Sequence, residues 1–77
     1  MRILIINGPN LNMLGHRDKA LYGSASLADI EKSLQEFGDS QNVDLAFFQS
    51  NSESAIIDYI QQTAPEAQAI IINPGAL

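Results

Sequence analysis

The 77-residue sequence contains no cysteine. Without thiols it can form neither disulfides nor thiolate metal sites, and it has no cysteine nucleophile. Basic residues are few and dispersed, at Arg2, Arg17, Lys19 and Lys32. Because four scattered cations make no basic stripe, we expect neither nucleic acid nor a membrane surface as a partner.

Long apolar runs and phosphate-binding glycine motifs are missing too. No stretch approaches the roughly 18 apolar residues of a membrane span. The run Ile3–Ile6 stops at Asn7, too early for a secretory signal, so a cytoplasmic protein is predicted. None of the five glycines fits G-x-G-x-x-G or P-loop spacing. The single histidine, His16, has no partner at ligand spacing, so no metal site is predicted.

Size and composition indicate one small globular domain covering residues 1–77. Hydrophobic residues make up 45% of the chain and the net charge is −5, which is not the composition of a disordered chain. A chain of this length buries only about 60% of the surface that it exposes when unfolded. Its margin of stability is therefore expected to be small.

Strand and helix signals alternate along the chain. Apolar, β-branched runs predict strands over 2–7, 43–49 and 69–73, and the segments 26–38 and 53–63 between them predict helices. Ser26 and Asp29 have capping-box spacing, Gly38 is a plausible stop for the first helix, and Ser52 or Ser54 could cap the second. A β-α-β-α-β order predicts an α/β fold with a parallel sheet.

The three predicted strands all end in amide-rich, uncharged residues. Asn7-Gly8-Pro9-Asn10 follows the first, Gln49-Ser50-Asn51 the second, and Asn73-Pro74-Gly75 the third. Ligands bind beyond the carboxyl ends of strands in open parallel sheets, and amides suit a polyhydroxylated or carboxylated small molecule. The simpler interpretation, that Asn, Gly and Pro only terminate strands, stays open.

The stretch 10–23 is predicted to be a long loop, and it carries His16, Arg17 and Tyr22. A nearby guanidinium favours the phenolate form of a tyrosine, which would make Tyr22 a usable base. Residues 15–24 are polar and flanked by glycine, so this segment is expected to be the most mobile internal one. Arginine and tyrosine on a loop are more often simply solvated, and spacing alone does not decide.

This sequence resembles the type II 3-dehydroquinate dehydratases in several separate stretches. They occur in the family's order and spacing: IINGPNLNMLG (5–15), Arg17, YG (22–23), LADI (27–30), FFQSN (47–51) and IINPGA (71–76). The resemblance implies a flavodoxin-like fold with strand order 2-1-3 in the part present. It also implies anti elimination of water from 3-dehydroquinate through an enolate, without a cofactor, in the shikimate pathway or in quinate catabolism.

The resemblance further implies a role for four residues. Tyr22 would remove the proton next to the ketone, and Arg17 would help to hold Tyr22 as phenolate. Asn10 would position the water or group that stabilises the enolate oxygen, and Asn73 would bind substrate hydroxyls. The loop carrying Arg17 and Tyr22 would act as a lid, and the family forms homo-oligomers, dodecamers built of trimers.

The sequence departs from the family in two places. Ser52 and Ser54 stand where His and Gly are common, in a turn interpreted as structural. The family is also roughly twice as long and continues into histidine-bearing segments that supply the general acid and bind carboxylate. The chain is therefore expected to be the N-terminal half of a domain. A catalytically inactive fragment that folds by associating with other chains remains the alternative, ahead of a generic nucleotide-binding module.

Overall fold

The computed structural model describes residues 1–15 and 24–77. Five main elements alternate along the chain: β1 (Arg2–Asn7), α1 (Leu27–Ser40), β2 (Asp44–Gln49), α2 (Glu53–Thr63) and β3 (Ala69–Asn73). Two short 3-10 turns, Leu11–Met13 and Ala64–Glu66, follow β1 and α2. The predicted strands are confirmed to within one residue, and the predicted bounds of the second helix are confirmed. Most of the predicted loop, residues 16–23, lies outside the described part.

The three strands form one parallel sheet in the order β2-β1-β3. The predicted fold and strand order are thus confirmed. The short, β-branched β1 is the central strand, and Leu4 and Ile6 within it are fully buried. At the carboxyl end of the sheet, Asn7 pairs in register with both Gln49 and Asn73.

α1 begins as the sequence predicts but ends later. Ser26 and Asp29 form the reciprocal capping box, each side chain accepting from the other residue's backbone N–H. The helix then runs through Gly38 to Ser40, so the prediction that Gly38 stops it is wrong. Gly38 instead lies where α1 packs closely on β2, since a Cβ there would lie 2.9 Å from Leu45 Cδ1. The chain reverses at Asn42, whose φ is 56°.

The core lies between the sheet and α2. Leu4 and Ile6 of β1 pack against Ile56 of α2, which is also buried. Phe48 of β2 stacks on Tyr59 of α2 with ring centroids 4.2 Å apart. Ser52 caps this helix by accepting a hydrogen bond from the Ala55 N–H. On this face of the sheet, α2 therefore covers β1 and β2.

The opposite face of the sheet is only partly covered. α1 packs over β2 and leaves an apolar groove of about 350 Å³ between itself and the sheet. Phe37 of α1 remains 65% exposed beside this groove. In the described part of the chain, no helix is long and apolar enough to cross a membrane.

Candidate functional site

The amide-rich strand ends meet at one edge of the sheet, as the sequence predicts. The Gly8 N–H donates to the Asn73 carbonyl oxygen at 2.8 Å, and the Ser50 N–H donates to the Asn7 carbonyl oxygen at 3.2 Å. These backbone bonds extend the strand pairing by one residue on each side of β1. The segments after the three strands therefore form one continuous surface beyond the carboxyl ends of the sheet.

Two glycines let the segments after β1 and β3 touch. A Cβ at Gly8 would lie 2.1 Å from the Pro74 carbonyl oxygen, a separation that no side chain can occupy. Gly75 has a φ of 58°, and a Cβ there would lie 2.5 Å from the Pro9 carbonyl oxygen. Glycine tolerates both the positive φ and the close backbone approach. The two segments that carry Asn10 and Asn73 are thus held in direct backbone contact.

Asn10 lies on this surface in a left-handed conformation, with φ 72° and ψ −6°. Asparagine is one of the few residues that adopt this conformation readily. Its backbone N–H donates to Asn51 Oδ1 at 2.9 Å, so the segment after β2 holds the segment after β1. Its side chain is exposed at the carboxyl edge, where the predicted site lies.

Gln49 and Asn51 belong to one of the amide-rich strand ends predicted from sequence, but neither was given an individual role. Gln49 Nε2 donates to the Gly8 carbonyl oxygen at 3.3 Å and to Asn51 Oδ1 at 3.2 Å. Asn51 Oδ1 therefore accepts from both Gln49 and Asn10. The sequence did contain a signal for the contact between these two amides. They lie at positions i and i+2 at the end of a strand, where alternate residues point to the same side.

Asn73 ends β3 and belongs to the same surface. Its Oδ1 accepts a hydrogen bond from the Gly75 N–H at 3.2 Å, which fixes the orientation of the amide. Its Nδ2 donates to no other described residue, so this N–H group can donate to a ligand oxygen. The side chain is exposed and needs no rearrangement to do so.

The described part of the candidate site offers hydrogen-bonding amides but no side chain that titrates near neutral pH. The stretches 7–15, 49–52 and 73–77 contain no charged residue and no tyrosine, histidine or cysteine. Amides donate and accept hydrogen bonds without titrating near neutral pH. Among the described residues, no group of three or more His, Cys, Asp or Glu could hold a metal ion. A base for chemistry at this edge must come from elsewhere.

The predicted base and its partner lie outside the described residues. Tyr22 and Arg17 both fall within 16–23, the stretch that joins the 3-10 turn after β1 to the start of α1. The predicted mobility of residues 15–24 falls mostly on the same stretch and stays a prediction. Both ends of that stretch are described: the turn Leu11–Met13 leaves the carboxyl edge of β1, and Ser26 opens α1.

Curated relatives match nearly the whole chain. A 3-dehydroquinate dehydratase from Nitratiruptor sp. is 49% identical over 76 residues, which is 99% of this chain and 49% of the relative. A catabolic 3-dehydroquinase 1 from Neosartorya fischeri is 54% identical over 74 residues, which is 96% of this chain and 49% of the relative. The chain thus spans about half the length of the curated relatives it matches.

Solved structures agree with this comparison. The type II dehydroquinase from Butyrivibrio crossotus superposes with a TM-score of 0.92 and 45% identity, covering 99% of this chain and 53% of that one. The type II dehydroquinase from Propionibacterium acnes gives a TM-score of 0.85 and 36% identity, covering 95% of this chain and 50% of that one. The family described as dehydroquinase class II matches residues 1–77. The chain therefore belongs to the class II dehydroquinase family.

Proposed function

We propose that the chain supplies the base-bearing part of an active site that dehydrates 3-dehydroquinate to 3-dehydroshikimate. The observation that carries the proposal is the family match over residues 1–77. It is supported by the uncharged amide surface at the carboxyl edge, because such amides suit the hydroxyl groups of a cyclic polyol acid. We further propose a cytoplasmic, homo-oligomeric assembly in which residues 1–77 form one part of a single domain.

In the proposed reaction, the Tyr22 phenolate removes a proton from the carbon next to the ketone. The electrons of that C–H bond move onto the carbonyl oxygen and give an enolate. The enolate then re-forms the ketone as the C–O bond to the departing hydroxyl breaks, and a general acid protonates that hydroxyl to release water. Arg17 holds Tyr22 in its charged form, because a neighbouring cation favours the phenolate.

The described amides would orient the substrate for these steps. Asn10, fixed through its N–H to Asn51, would hold the water or group that stabilises the enolate oxygen. Asn73 would bind substrate hydroxyls through its Nδ2. Because these groups are fixed by the backbone and by neighbouring amides, they lose little freedom when substrate binds, which favours the reactive geometry.

A non-catalytic role for the 77 residues alone is the second candidate. His16, six positions before Tyr22 in the sequence, is the only histidine, and the resemblance puts the general acid in a later segment of the family domain. General acid catalysis typically contributes ~100- to 10,000-fold. Residues 1–77 by themselves would then bind and position substrate without turning it over efficiently.

The two tyrosines of the chain give a matched test. The 77 residues are joined to the second half of the Butyrivibrio crossotus enzyme, and formation of 3-dehydroshikimate is followed by its enone absorbance. Tyr22→Phe is expected to lower kcat by roughly a thousandfold while substrate binding stays close to normal, because only the base is removed. Tyr59→Phe is the control, since Tyr59 stacks on Phe48 in the core. Near-normal turnover by Tyr22→Phe would refute the assignment of the base.

A further inference from the structure

The orientations of the Asn51 and Asn73 amides are dictated by backbone groups. A carboxamide carries an accepting oxygen on one side and a donating NH2 group on the other. The Asn10 backbone N–H can only donate, so the Asn51 atom that it contacts at 2.9 Å must be Oδ1. In the same way, the Gly75 N–H fixes the Asn73 atom that it contacts at 3.2 Å as Oδ1. Each of these two amides therefore turns its oxygen toward the protein.

Gln49 uses its own donors within the network. The Gly8 carbonyl oxygen can only accept, so the Gln49 atom that lies 3.3 Å from it must be Nε2. The same Nε2 donates to Asn51 Oδ1 at 3.2 Å. Because this group has two N–H bonds and both are engaged, Gln49 has no donor left for a ligand. It instead supplies the second hydrogen bond that Asn51 Oδ1 accepts.

The NH2 group of Asn51 points away from these contacts. Asn51 Oδ1 accepts from both Asn10 and Gln49, and Asn51 Nδ2 donates to no other described residue. The side chain is exposed at the carboxyl edge of the sheet. Hydrogen bonds that an amide oxygen accepts polarise the whole group, which strengthens its N–H donors. Asn51 Nδ2 is thus an oriented and polarised donor beside Asn10.

We propose that Asn51 Nδ2 donates a hydrogen bond directly to the ketone oxygen of the substrate, which becomes the enolate oxygen when the proton is removed. This inference rests on the proposed dehydration and deepens it, because it identifies a group that Asn10 would position. Asn10 and Asn51 are in direct contact, so a ligand oxygen next to one lies beside the other. A donor that is already fixed needs no reorganisation, and its hydrogen bond strengthens as negative charge develops on the oxygen.

Asn73 stands on the other side of the same edge. Asn51 follows β2 and Asn73 ends β3, and these two strands flank β1. Neighbouring strands are about 4.8 Å apart, so the backbones of the two residues are separated by roughly 10 Å across the edge. We therefore expect the two amides to contact different oxygens of one ligand, which allows their substitutions to be compared.

The test compares two ligands that differ at one oxygen. They are 3-dehydroshikimate, whose ketone oxygen only accepts, and shikimate, whose hydroxyl at that position can also donate. Calorimetric titration of the 77 residues joined to the second half of the Butyrivibrio crossotus enzyme gives both dissociation constants. Asn51→Asp keeps the oxygen that holds Asn10 but replaces the donor with a carboxylate oxygen. It should weaken the binding of 3-dehydroshikimate relative to shikimate by roughly tenfold or more, because the carboxylate repels the ketone oxygen and accepts from the hydroxyl.

Asn73→Asp is the matched control. It adds the same charge at the same edge, loses the same kind of donor and keeps the oxygen that accepts from Gly75. The two ligands share their carboxylate and their other hydroxyl groups. Asn73→Asp should therefore change both dissociation constants by the same factor and leave their ratio unchanged. Slow exchange of the Asn10 amide in Asn51→Asp checks that the contact between the strand ends survives.

A crystal structure of the unsubstituted fusion with 3-dehydroshikimate gives a second readout, which depends on no variant. The ketone oxygen should lie about 2.7–3.2 Å from Asn51 Nδ2. A ketone oxygen out of reach of Asn51 would overturn the proposal, as would an unchanged ratio in Asn51→Asp or an equal change in Asn73→Asp. In those cases the proposed dehydration still stands. If the unsubstituted fusion binds neither ligand, the proposed dehydration fails and this inference fails with it.

Discussion

At the scale of single residues, the amide network around Asn51 decides where Asn10 lies. Asn51 Oδ1 is the acceptor for both the Asn10 N–H and Gln49 Nε2. Asn51→Ala removes that acceptor, so the Asn10 amide should exchange faster in the 77-residue chain. In the completed enzyme, kcat should fall by roughly tenfold through lost positioning.

The conservative change Asn51→Asp separates positioning from simple loss of structure. It keeps the accepting oxygen and should restore slow exchange of the Asn10 amide. If Asn51→Ala leaves that exchange unchanged, the proposed hold on Asn10 is wrong. The exchange measurement needs no turnover, so it remains decisive even if the assembled protein is inactive.

Two glycine-to-alanine changes should have very different effects. At Gly8 the new methyl would lie 2.1 Å from the Pro74 carbonyl oxygen, which belongs to the backbone and can shift only if the strand-end segments separate. We therefore expect Gly8→Ala to lower the free energy of unfolding by about 3 kcal/mol. At Gly38 the methyl would lie 2.9 Å from Leu45 Cδ1, 3.0 Å from Leu45 Cγ and 3.1 Å from the Val43 carbonyl oxygen. The Leu45 side chain can shift, and the approach to backbone is a full 1 Å longer than at Gly8. Alanine also favours a helix interior by about 0.5–1 kcal/mol.

Urea denaturation of both variants measures this difference. Gly38→Ala should stay within about 1 kcal/mol of the parent chain, because its helix gain offsets the strain at Leu45. Equal destabilisation by the two variants would contradict the close backbone approach at Gly8. Gly8→Ala should also speed exchange at the Asn73–Gly75 segment, because the two strand-end segments would separate.

Residue-level prediction from the sequence succeeded where a local pattern was sufficient. The convergence of Asn7, Gln49 and Asn73 followed from the geometry of parallel strands and is confirmed. The network of Gln49 and Asn51 was not predicted, since it depends on a contact with the backbone 41 residues away. The assigned roles of Tyr22 and Arg17 remain predictions.

At the scale of elements, the capping box of α1 should make the stability of this helix depend on pH. The hydrogen bond from the Ser26 backbone N–H, followed by the one from its side chain and the attraction of Lys32, lowers the pKa of Asp29. A lowered pKa in the folded state stabilises the chain at pH values above the ordinary aspartate pKa. This stabilisation is lost as the pH falls from about 4 through the folded value.

Ser26→Ala tests the capping box. The substitution should cost about 1 kcal/mol of stability near neutral pH. This cost should shrink at acid pH, because protonation of Asp29 weakens the capping box in the parent chain too. Ser52→Ala is the matched control, because Ser52 caps α2 without a reciprocal carboxylate. Thermal unfolding between pH 2 and 7 measures both; a constant cost for Ser26→Ala would contradict the coupling.

Element boundaries were predictable to the extent that local chemistry fixes them. Ser26 and the apolar runs are local signals, and α1 and the three strands begin within a residue of where they indicate. The end of α1 was misjudged because Gly38 is a common helix stop. Its actual role depends on the distant Leu45, which the local sequence cannot indicate.

At the scale of the whole molecule, the core is small. Only four apolar residues are fully or nearly fully buried in the described part: Leu4, Ile5, Ile6 and Ile56. We therefore expect the isolated 77-residue chain to be marginally stable or self-associated, since exposed apolar strand edges invite pairing. Its dehydratase activity should be at or near background.

Two measurements test this expectation: sedimentation reports the association state of the chain, and the enone absorbance reports its dehydratase activity. Salt should strengthen any self-association, because it screens the repulsion between chains of net charge −5. A stable monomer that turns over 3-dehydroquinate at ordinary enzymatic rates would contradict it. Such a result would mean that a group within the 77 residues replaces the general acid.

The central position of β1 also has a kinetic consequence. Of the three described strands β1 is synthesised first, yet its partners in β2 and β3 lie tens of residues later in the chain. Sheets built from such distant contacts fold slowly, because long loops must close before any pairing is gained. On the ribosome, the run Ile3–Ile6 must therefore wait for β2 and for Ile56 of α2, which makes the nascent chain a ready client for chaperones that bind short aliphatic segments.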